Sequence, residues 1–316
     1  MTRCADIRTA LHSSLHRAVV GQQHVLDGLL VALLTGGHVL LEGVPGLAKT
    51  LTVRTLADAI DTSFQRIQFT PDLLPADVIG TQVFDQSTGQ FSVKKGPIFA
   101  NIILADEINR APPKVQAALL EAMEEGGVSL EGQQIKLPDP FLVLATQNPV
   151  EYEGTYPLPE AQQDRFLFKV VLDYPTPEQE LEVVERWDRG IELKDPVAAG
   201  LQPVVDAAAI AESQREVRST TVDDKVKRYI IELAVATRQS PELLLGASTR
   251  AEVMLLLASK AAAAFEGRDY VTPDDVKGLL RPAFRHRLLL RPEAEVAGQS
   301  PDGVLDAVIA RVTPPR

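Results

Sequence analysis

The chain has 316 residues, 45% of them hydrophobic, and its 32 Lys and Arg against 43 Asp and Glu give a formal charge of −11. That length allows one large domain or a core with a smaller second domain, and the hydrophobic content excludes wholesale disorder. The acidic balance argues against broad non-specific attachment to nucleic acid or anionic membranes. The single cysteine, Cys4, excludes an intrachain disulfide and points to a reducing, cytoplasmic setting.

The first residues, MTRCADIRTALHSS, lack the unbroken apolar core of a signal peptide. The apolar run 25-VLDGLLVALLTGGHVLL-41 is interrupted by Asp27, Gly36-Gly37 and His38. It predicts a buried helix followed by a buried strand, with no membrane insertion.

Directly behind 38-HVLLE-42 comes 43-GVPGLAKT-50, which nearly matches G-x-x-x-x-G-K-[S/T]: Gly43, Lys49 and Thr50 are in place, and Ala48 stands where the pattern asks for glycine. A strand that passes through a glycine-rich turn into a helix over 49–60 aims backbone N–H groups and the positive helix end at an anion. Gly43, Val44, Pro45, Gly46, Leu47, Ala48, Lys49, Thr50 and Leu51 are therefore the expected cradle for a nucleotide polyphosphate. Lys49 would reach the β- and γ-phosphates and the Thr50 hydroxyl would ligate Mg²⁺. Ala48 is tolerable if it already sits in the first helical turn, where no positive φ is needed. A tight turn with an incidental lysine is the bland alternative.

Next, 64-FQRIQF-69 alternates like a strand, and 79-IGTQVFDQSTGQFSV-93 reads as a β-hairpin. The run 101-NIILAD-106 predicts a strand buried on both faces that ends in two carboxylates, Asp106 and Glu107, 57 residues after Lys49. In an open α/β sheet that end lies beside the phosphate loop. Asp106 would hold the Mg²⁺ shell and Glu107 would polarise an attacking water. Gln68, at the end of the second strand, is placed to restrain Glu107 until a partner binds. Taken alone, an acidic pair after a strand is only a solvated strand end.

A helix over 113-PKVQAALLEAMEE-125, a second hairpin over 127–138 and a buried strand at 141-FLVLAT-146 follow. The segment 145-ATQNP-149 sets Gln147 and Asn148 at that strand's end, where an amide would hold a water or the γ-phosphate; an Asn-Pro turn signal explains it equally well. A last strand is expected at 166-FLFKVVL-172. The alternation of strand and helix predicts a doubly wound α/β domain with two hairpin insertions.

After Asp173 the character changes. Thr176 and Gln179 form a capping box with Pro177 at the first helical position, and helices are expected at 176–187, 222–238, 249–264 and 272–281 with no convincing strand among them. Thr249 and Glu252 read as a second capping box that puts Arg250 in a helical first turn. The division expected is an α/β core over 1–175 and an all-helical domain over 176–316.

Taken together, GVPGLAKT, ILADEINRAPPKVQAALLEAMEE, ATQNP, 157-PLPEAQQDRF-166 and 246-GASTRA-251 resemble the MoxR family of AAA+ ATPases, in family order and across most of the chain. The resemblance implies an AAA+ core, a helical lid, ATP and Mg²⁺ as ligands, and homo-oligomeric assembly, usually a ring of six. It implies that Asn148 matches the sensor 1 position, Arg165 the arginine finger offered to a neighbour's nucleotide, and Arg250 the sensor 2 arginine of the lid. Val20 and Gly21, within 19-VVGQQ-23, match the adenine pocket through backbone contacts. The family often works on proteins with von Willebrand factor A-type domains, so such a client is implied.

Plainer readings stand beside these. Arg165 as a surface salt bridge would pair with Asp164 or Glu160. The cluster Arg281, Arg285, His286, Arg287 and Arg291 reads as a solvated face or subunit contact more readily than as a phosphate site, and the five histidines show no metal-ligand spacing. Rival functions are a nucleotide switch without useful turnover, a helicase-loader-like motor, which the charge disfavours, and the motor subunit of a metal chelatase.

Overall fold

The structure is a computed structural model that describes residues 3–43, 49–85, 89–130, 132–147, 155–189 and 201–315. Val44, Pro45, Gly46, Leu47 and Ala48 of the expected phosphate cradle, and Asn148, lie outside the described residues.

Helices α1 (Arg3–Leu15) and α2 (Gln23–Thr35) precede β1 (Val39–Glu42), α3 (Lys49–Ala59), β2 (Phe64–Gln68) and the short α4 (Pro75–Ile79). The hairpin of β3 (Gly80–Asp85) and β4 (Gln90–Lys95) leads to β5 (Ile102–Asp106) and α5 (Pro113–Glu125). A second hairpin, β6 (Gly127–Leu130) with β7 (Gln133–Lys136), precedes β8 (Leu142–Gln147), α6 (Glu160–Gln163) and β9 (Phe168–Val171). Then come α7 (Pro177–Asp188), α8 (Ala207–Ser219), α9 (Asp224–Arg238), β10 (Leu243–Leu245), α10 (Thr249–Phe265), α11 (Pro273–Phe284), β11 (Leu289–Leu290), α12 (Pro292–Val296) and α13 (Pro301–Arg311).

The central sheet is parallel throughout, in the order β2-β5-β8-β1-β9. All five residues of β5 and the first five of β8 are buried, which is why these strands read as unbroken apolar runs. Their side chains alternate between two cores. Leu40, Ile103, Ala105, Val143 and Ala145 face α5 and the hairpins, whereas Val39, Leu41, Ile102, Leu104, Leu142 and Leu144 face α1, α2 and α3. The β2 edge strand buries only Ile67 fully, which leaves its polar residues free to serve its end of the sheet. Both predicted hairpins form, and β4 is exposed along its whole length.

The second core is continuous with the helical lid. Leu26, Leu29 and Leu33 of α2 join Ile210 of α8, Leu255 and Ala258 of α10, and Leu280 and Phe284 of α11 in one apolar cluster. Arg287 is buried where the lid meets the sheet, donating to Asp164 at 2.5 Å and to the carbonyls of Phe166 at 2.7 Å and Leu167 at 3.3 Å. Among the described residues, no helix is long and apolar enough to cross a membrane.

The lid departs from the sequence reading in three places. It is helical but carries an antiparallel ribbon, β10 with β11, that pairs Leu243 with Leu290. Strands of two and three consecutive leucines are too short to show a period, so nothing marked them. Helices α8 and α13 were also unforeseen; Asp206 caps the first by accepting from the Ala209 N–H at 2.7 Å. Finally, α10 is capped by Ser248, not Thr249: the Ser248 hydroxyl accepts from the Ala251 N–H at 3.1 Å. Glu252 turns instead to Arg238 at 2.5 Å. Arg250 stays in the first turn, whereas the α7 capping box of Thr176 and Gln179 forms as expected.

Candidate functional site

The C-terminal edge of the sheet gathers polar chemistry. Gly43 leaves β1 so close to β9 that a Cβ there would lie 2.9 Å from the Leu172 Cβ and 3.1 Å from its carbonyl oxygen. Lys49, Thr50 and Leu51 form the first turn of α3 and are half-buried. The Lys49 ammonium donates to the Gly43 carbonyl at 2.5 Å. Burial pushes its pKa below the ordinary lysine value, against the opposing pull of Asp106, Glu107 and Glu42. A cation at a helix start facing two carboxylates is an arrangement suited to a polyanion that brings its own counter-ion.

Asp106 closes β5 and is 8% exposed. Its Oδ1 accepts from the Thr146 hydroxyl at 2.8 Å, and its Oδ2 accepts from Arg66 Nε at 2.7 Å. Thr146 lies on the neighbouring strand β8 and in turn accepts from the Glu107 N–H at 2.9 Å. Glu107 adopts φ 57°, a left-handed conformation that is uncommon for a side-chain-bearing residue and clusters at functional positions. The turn brings its carboxylate to Gln68 Nε2 at 2.8 Å and Arg110 Nη1 at 3.0 Å. The expected contact of Gln68 with Glu107 is therefore present. Arg66 and Thr146 were not anticipated: Arg66 is a single polar residue inside a strand and carries no motif, and within ATQNP the residues at the strand's end, Gln147 and Asn148, drew the expectation rather than Thr146.

Val20 and Gly21 reach the same edge at its β9 end. Gly21 has φ +71°, and a Cβ on it would meet the Gln179 side chain at 2.8 Å, so the α7 capping box closes over this turn. His24, one turn on, lies 3.1 Å from the Val171 carbonyl at the end of β9.

Arg165 and Arg250 lie at the other end of the sheet. His38 marks that end: it precedes β1, its Nδ1 accepts from the Val143 N–H at 3.0 Å, and its Nε2 lies 3.2 Å from the Met123 carbonyl. The next residue of α5, Glu124, takes Arg165 on one carboxylate oxygen and Arg250 on the other, each at 2.9 Å. Arg165 also donates to the Leu120 carbonyl at 2.8 Å. A parallel strand rises about 3.3 Å per residue, so the length of β1 separates this end of the sheet from the end that carries Asp106 and Glu107 by roughly 13 Å. The pairing of Arg165 with Asp164 or Glu160 is not formed; Asp164 is taken by Arg287 and by the Ser248 hydroxyl at 3.1 Å. The basic cluster resolves into separate pairs, among them Arg285 with Asp302 at 2.8 Å and Arg281 with Asp306, so it offers no convergent anion site.

Residues 38–168 match the model of the ATPase family associated with various cellular activities (AAA), and residues 235–308 match that of the AAA lid domain. Over 309 residues the chain is 44% identical to Chaperone MoxR1 of Mycobacterium tuberculosis, covering 95% of this chain and 80% of that one. The chain belongs to the MoxR family of AAA+ ATPases. Another member of like similarity is the Bacillus subtilis protein YeaC, described as uncharacterized, 47% identical over 301 residues and covering 95% of this chain and 92% of its own. A crystal structure of a candidate ATPase from Cytophaga hutchinsonii superposes with TM-score 0.90 at 45% identity, covering 99% of this chain and 97% of that one.

As a MoxR-family chain it carries nucleotide binding as a family property, and its residues fit a Mg²⁺ ion. Asp106 is a buried carboxylate that already attracts a cation, the Arg66 guanidinium, to Oδ2. Among the described residues no group of three or more His, Cys, Asp and Glu forms a metal cage. Mg²⁺ needs none, since it is commonly held by one or two carboxylates together with substrate phosphates.

Proposed function

We propose that the chain hydrolyses ATP to ADP and phosphate with Mg²⁺ at the C-terminal edge of its sheet, and that neighbouring copies in a ring, usually of six, complete each other's sites. The observation that carries this reading is the division of charge: Lys49, Asp106 and Glu107 share one edge, while Arg165 and Arg250 sit on one carboxylate at the opposite edge. A site whose arginines face away from its own phosphates is incomplete within one chain.

In this reading the turn from Gly43 to Leu51 wraps the phosphates, and Lys49 exchanges the Gly43 carbonyl for phosphate oxygens. Thr50 and Asp106 hold the ion, which when bound neutralises charge on the β- and γ-phosphate oxygens. Thr146 keeps the Asp106 carboxylate and the Glu107 backbone in register. Glu107, freed from Gln68, orients and polarises water, with Asn148 as the sensor 1 amide. Val20 and Gly21 contact adenine through the backbone. Arg165 and Arg250 of one subunit neutralise the developing charge on its neighbour's γ-phosphate.

Turnover would drive movement that remodels or matures a client protein in the cytoplasm, possession of a von Willebrand factor A-type domain being the client property we favour. The hairpin of β3 and β4 is the surface we assign to it, because Phe84 and Phe91 pair at 5.0 Å between centroids on an exposed ribbon. The test is Glu107→Gln. Nucleotide binding should persist while phosphate release falls by about 10²- to 10⁴-fold, the range for loss of a general base. Unchanged turnover would remove Glu107 from this role.

A further inference from the structure

Both acids of the proposed site are engaged from one strand. Arg66 and Gln68 lie two residues apart on β2, so they share a face, and β2 pairs with β5 in a register that sets Gln68 opposite Asp106. The Arg66 guanidinium approaches Asp106 Oδ2 with Nε and with Nη2, each at 2.7 Å. Its Nη2 also donates to the Gln68 side-chain oxygen Oε1 at 3.2 Å, which turns the Gln68 amide so that its nitrogen donates to Glu107. The chain of contacts therefore runs Asp106, Arg66, Gln68, Glu107.

We propose that Arg66 competes with Mg²⁺ for Asp106, so that it sets the cation concentration at which nucleotide is held tightly; this rests on the nucleotide reading above. The competition follows from geometry. The Thr146 hydroxyl engages Oδ1 and two guanidinium nitrogens engage Oδ2, so a metal that takes Oδ2 must displace Arg66. Mg²⁺ approaches a ligand oxygen to about 2.1 Å and keeps several waters, which leaves no room for two guanidinium nitrogens on that oxygen. Like charge adds to the steric exclusion.

Departure is easy for Arg66, because its side chain is 51% exposed and reaches water at the sheet edge. Asp106 stays in place through Thr146. Once Arg66 leaves, Gln68 loses the partner that fixes its amide orientation, so cation arrival at Asp106 loosens the restraint on Glu107. Arg66 is thus a positioning residue that orders two events: metal first, freed carboxylate second.

The measurement is binding of a fluorescent N-methylanthraniloyl-ADP to the full chain during Mg²⁺ titration, with an EDTA arm. Arg66→Gln is expected to bind the probe like wild type in EDTA. It should reach half-saturation at about three- to tenfold less Mg²⁺, the scale of one partly exposed charge-assisted hydrogen bond. Arg110→Gln removes the same charge from Glu107 without touching Asp106, and is expected to shift the midpoint by less than half as much. If Arg66→Gln loses its melting transition, Arg66→Lys carries the test: a single ammonium replaces the fork, and a smaller shift in the same direction is expected. An unmoved midpoint, or an equal shift in Arg110→Gln, would overturn the competition. Wild-type protein that fails to bind the probe both with Mg²⁺ and in EDTA would bring down the nucleotide reading and this inference with it.

Discussion

The two edges of one sheet are built differently. At the C-terminal edge, carboxylates and their partners sit on adjacent strands, and every contact from Thr146 to Asp106 to Arg66 is a short step across the ladder. At the N-terminal edge, the partners come from distant parts of the chain: Arg250 of the lid reaches Glu124 of the core across 126 residues. The carboxylate contacts of the first edge need only the sheet to form, whereas the Arg250 contact at the second needs the lid to dock. The difference teaches that the core can assemble its acidic half and hold Arg165 on Glu124 and the Leu120 carbonyl by itself, whereas Arg250 is presented beside it only when core and lid are joined.

The sharpest way to break that comparison is to separate the edges between subunits. Arg165→Ala alone should lower turnover by about 10³-fold or more, the usual worth of an arginine finger. Mixed with Lys49→Ala, which is dead in its own site but keeps its arginine, it should recover part of the activity, because some interfaces pair an intact Lys49 with an intact Arg165. Phosphate release across mixing ratios checks this, and silence at every ratio would return Arg165 to the role of a salt bridge with Glu124.

A second prediction separates the edges by pH. The Val143 N–H donates to His38 Nδ1, so that nitrogen must keep its lone pair, and the imidazole is enclosed. Burial pushes the His38 pKa from 6.5 to about 4, although the Met123 carbonyl pulls the other way. The folded protein therefore binds this proton less readily than the unfolded chain. The stability that neutral His38 confers is complete above pH 6.5 and is lost as pH falls toward 4. The loss is about 3 kcal/mol over that window, by the linkage of roughly 1.4 kcal/mol per pKa unit. Denaturant midpoints at pH 7 and pH 4.5 measure it. His38→Asn should be less stable at pH 7 yet lose less on acidification, and an identical pH slope would remove His38 from the effect.

What could be read in the sequence follows the same line. The strand over 101–106 was legible because burial on both faces demands an unbroken apolar run, and its end could be named because the run stops at two carboxylates. Gln68 was legible from its place at a strand end. Arg66 was not, since its significance depends on which strand lies beside β2, and periodicity does not encode sheet order. The meeting of Arg165 and Arg250 on Glu124 was hidden for a like reason: each arginine belonged to a recognisable motif, but the carboxylate between them lay inside an ordinary amphipathic helix. The start of α10 was misread by one residue because Ser248 and Thr249 are both good caps, and only the backbone at the turn decides between them.

That last ambiguity gives the finest test of how the lid presents its arginine. Ser248 accepts from the Ala251 N–H and also donates to Asp164 at 3.1 Å, tying the first turn of α10 to the residue next to Arg165. Ser248→Ala removes both contacts and should cost about 1 kcal/mol, the usual worth of a helix cap, visible as a lower melting temperature. Thr249→Ala should cost less, since Thr249 already has helical geometry and no capping duty. Because Arg250 rides on the same turn, Ser248→Ala should also reduce turnover several-fold more than Thr249→Ala while leaving nucleotide binding to the same chain intact. The reverse order would mean that the turn begins one residue later, and that Arg250 is held by Glu124 alone rather than by the joint between lid and core.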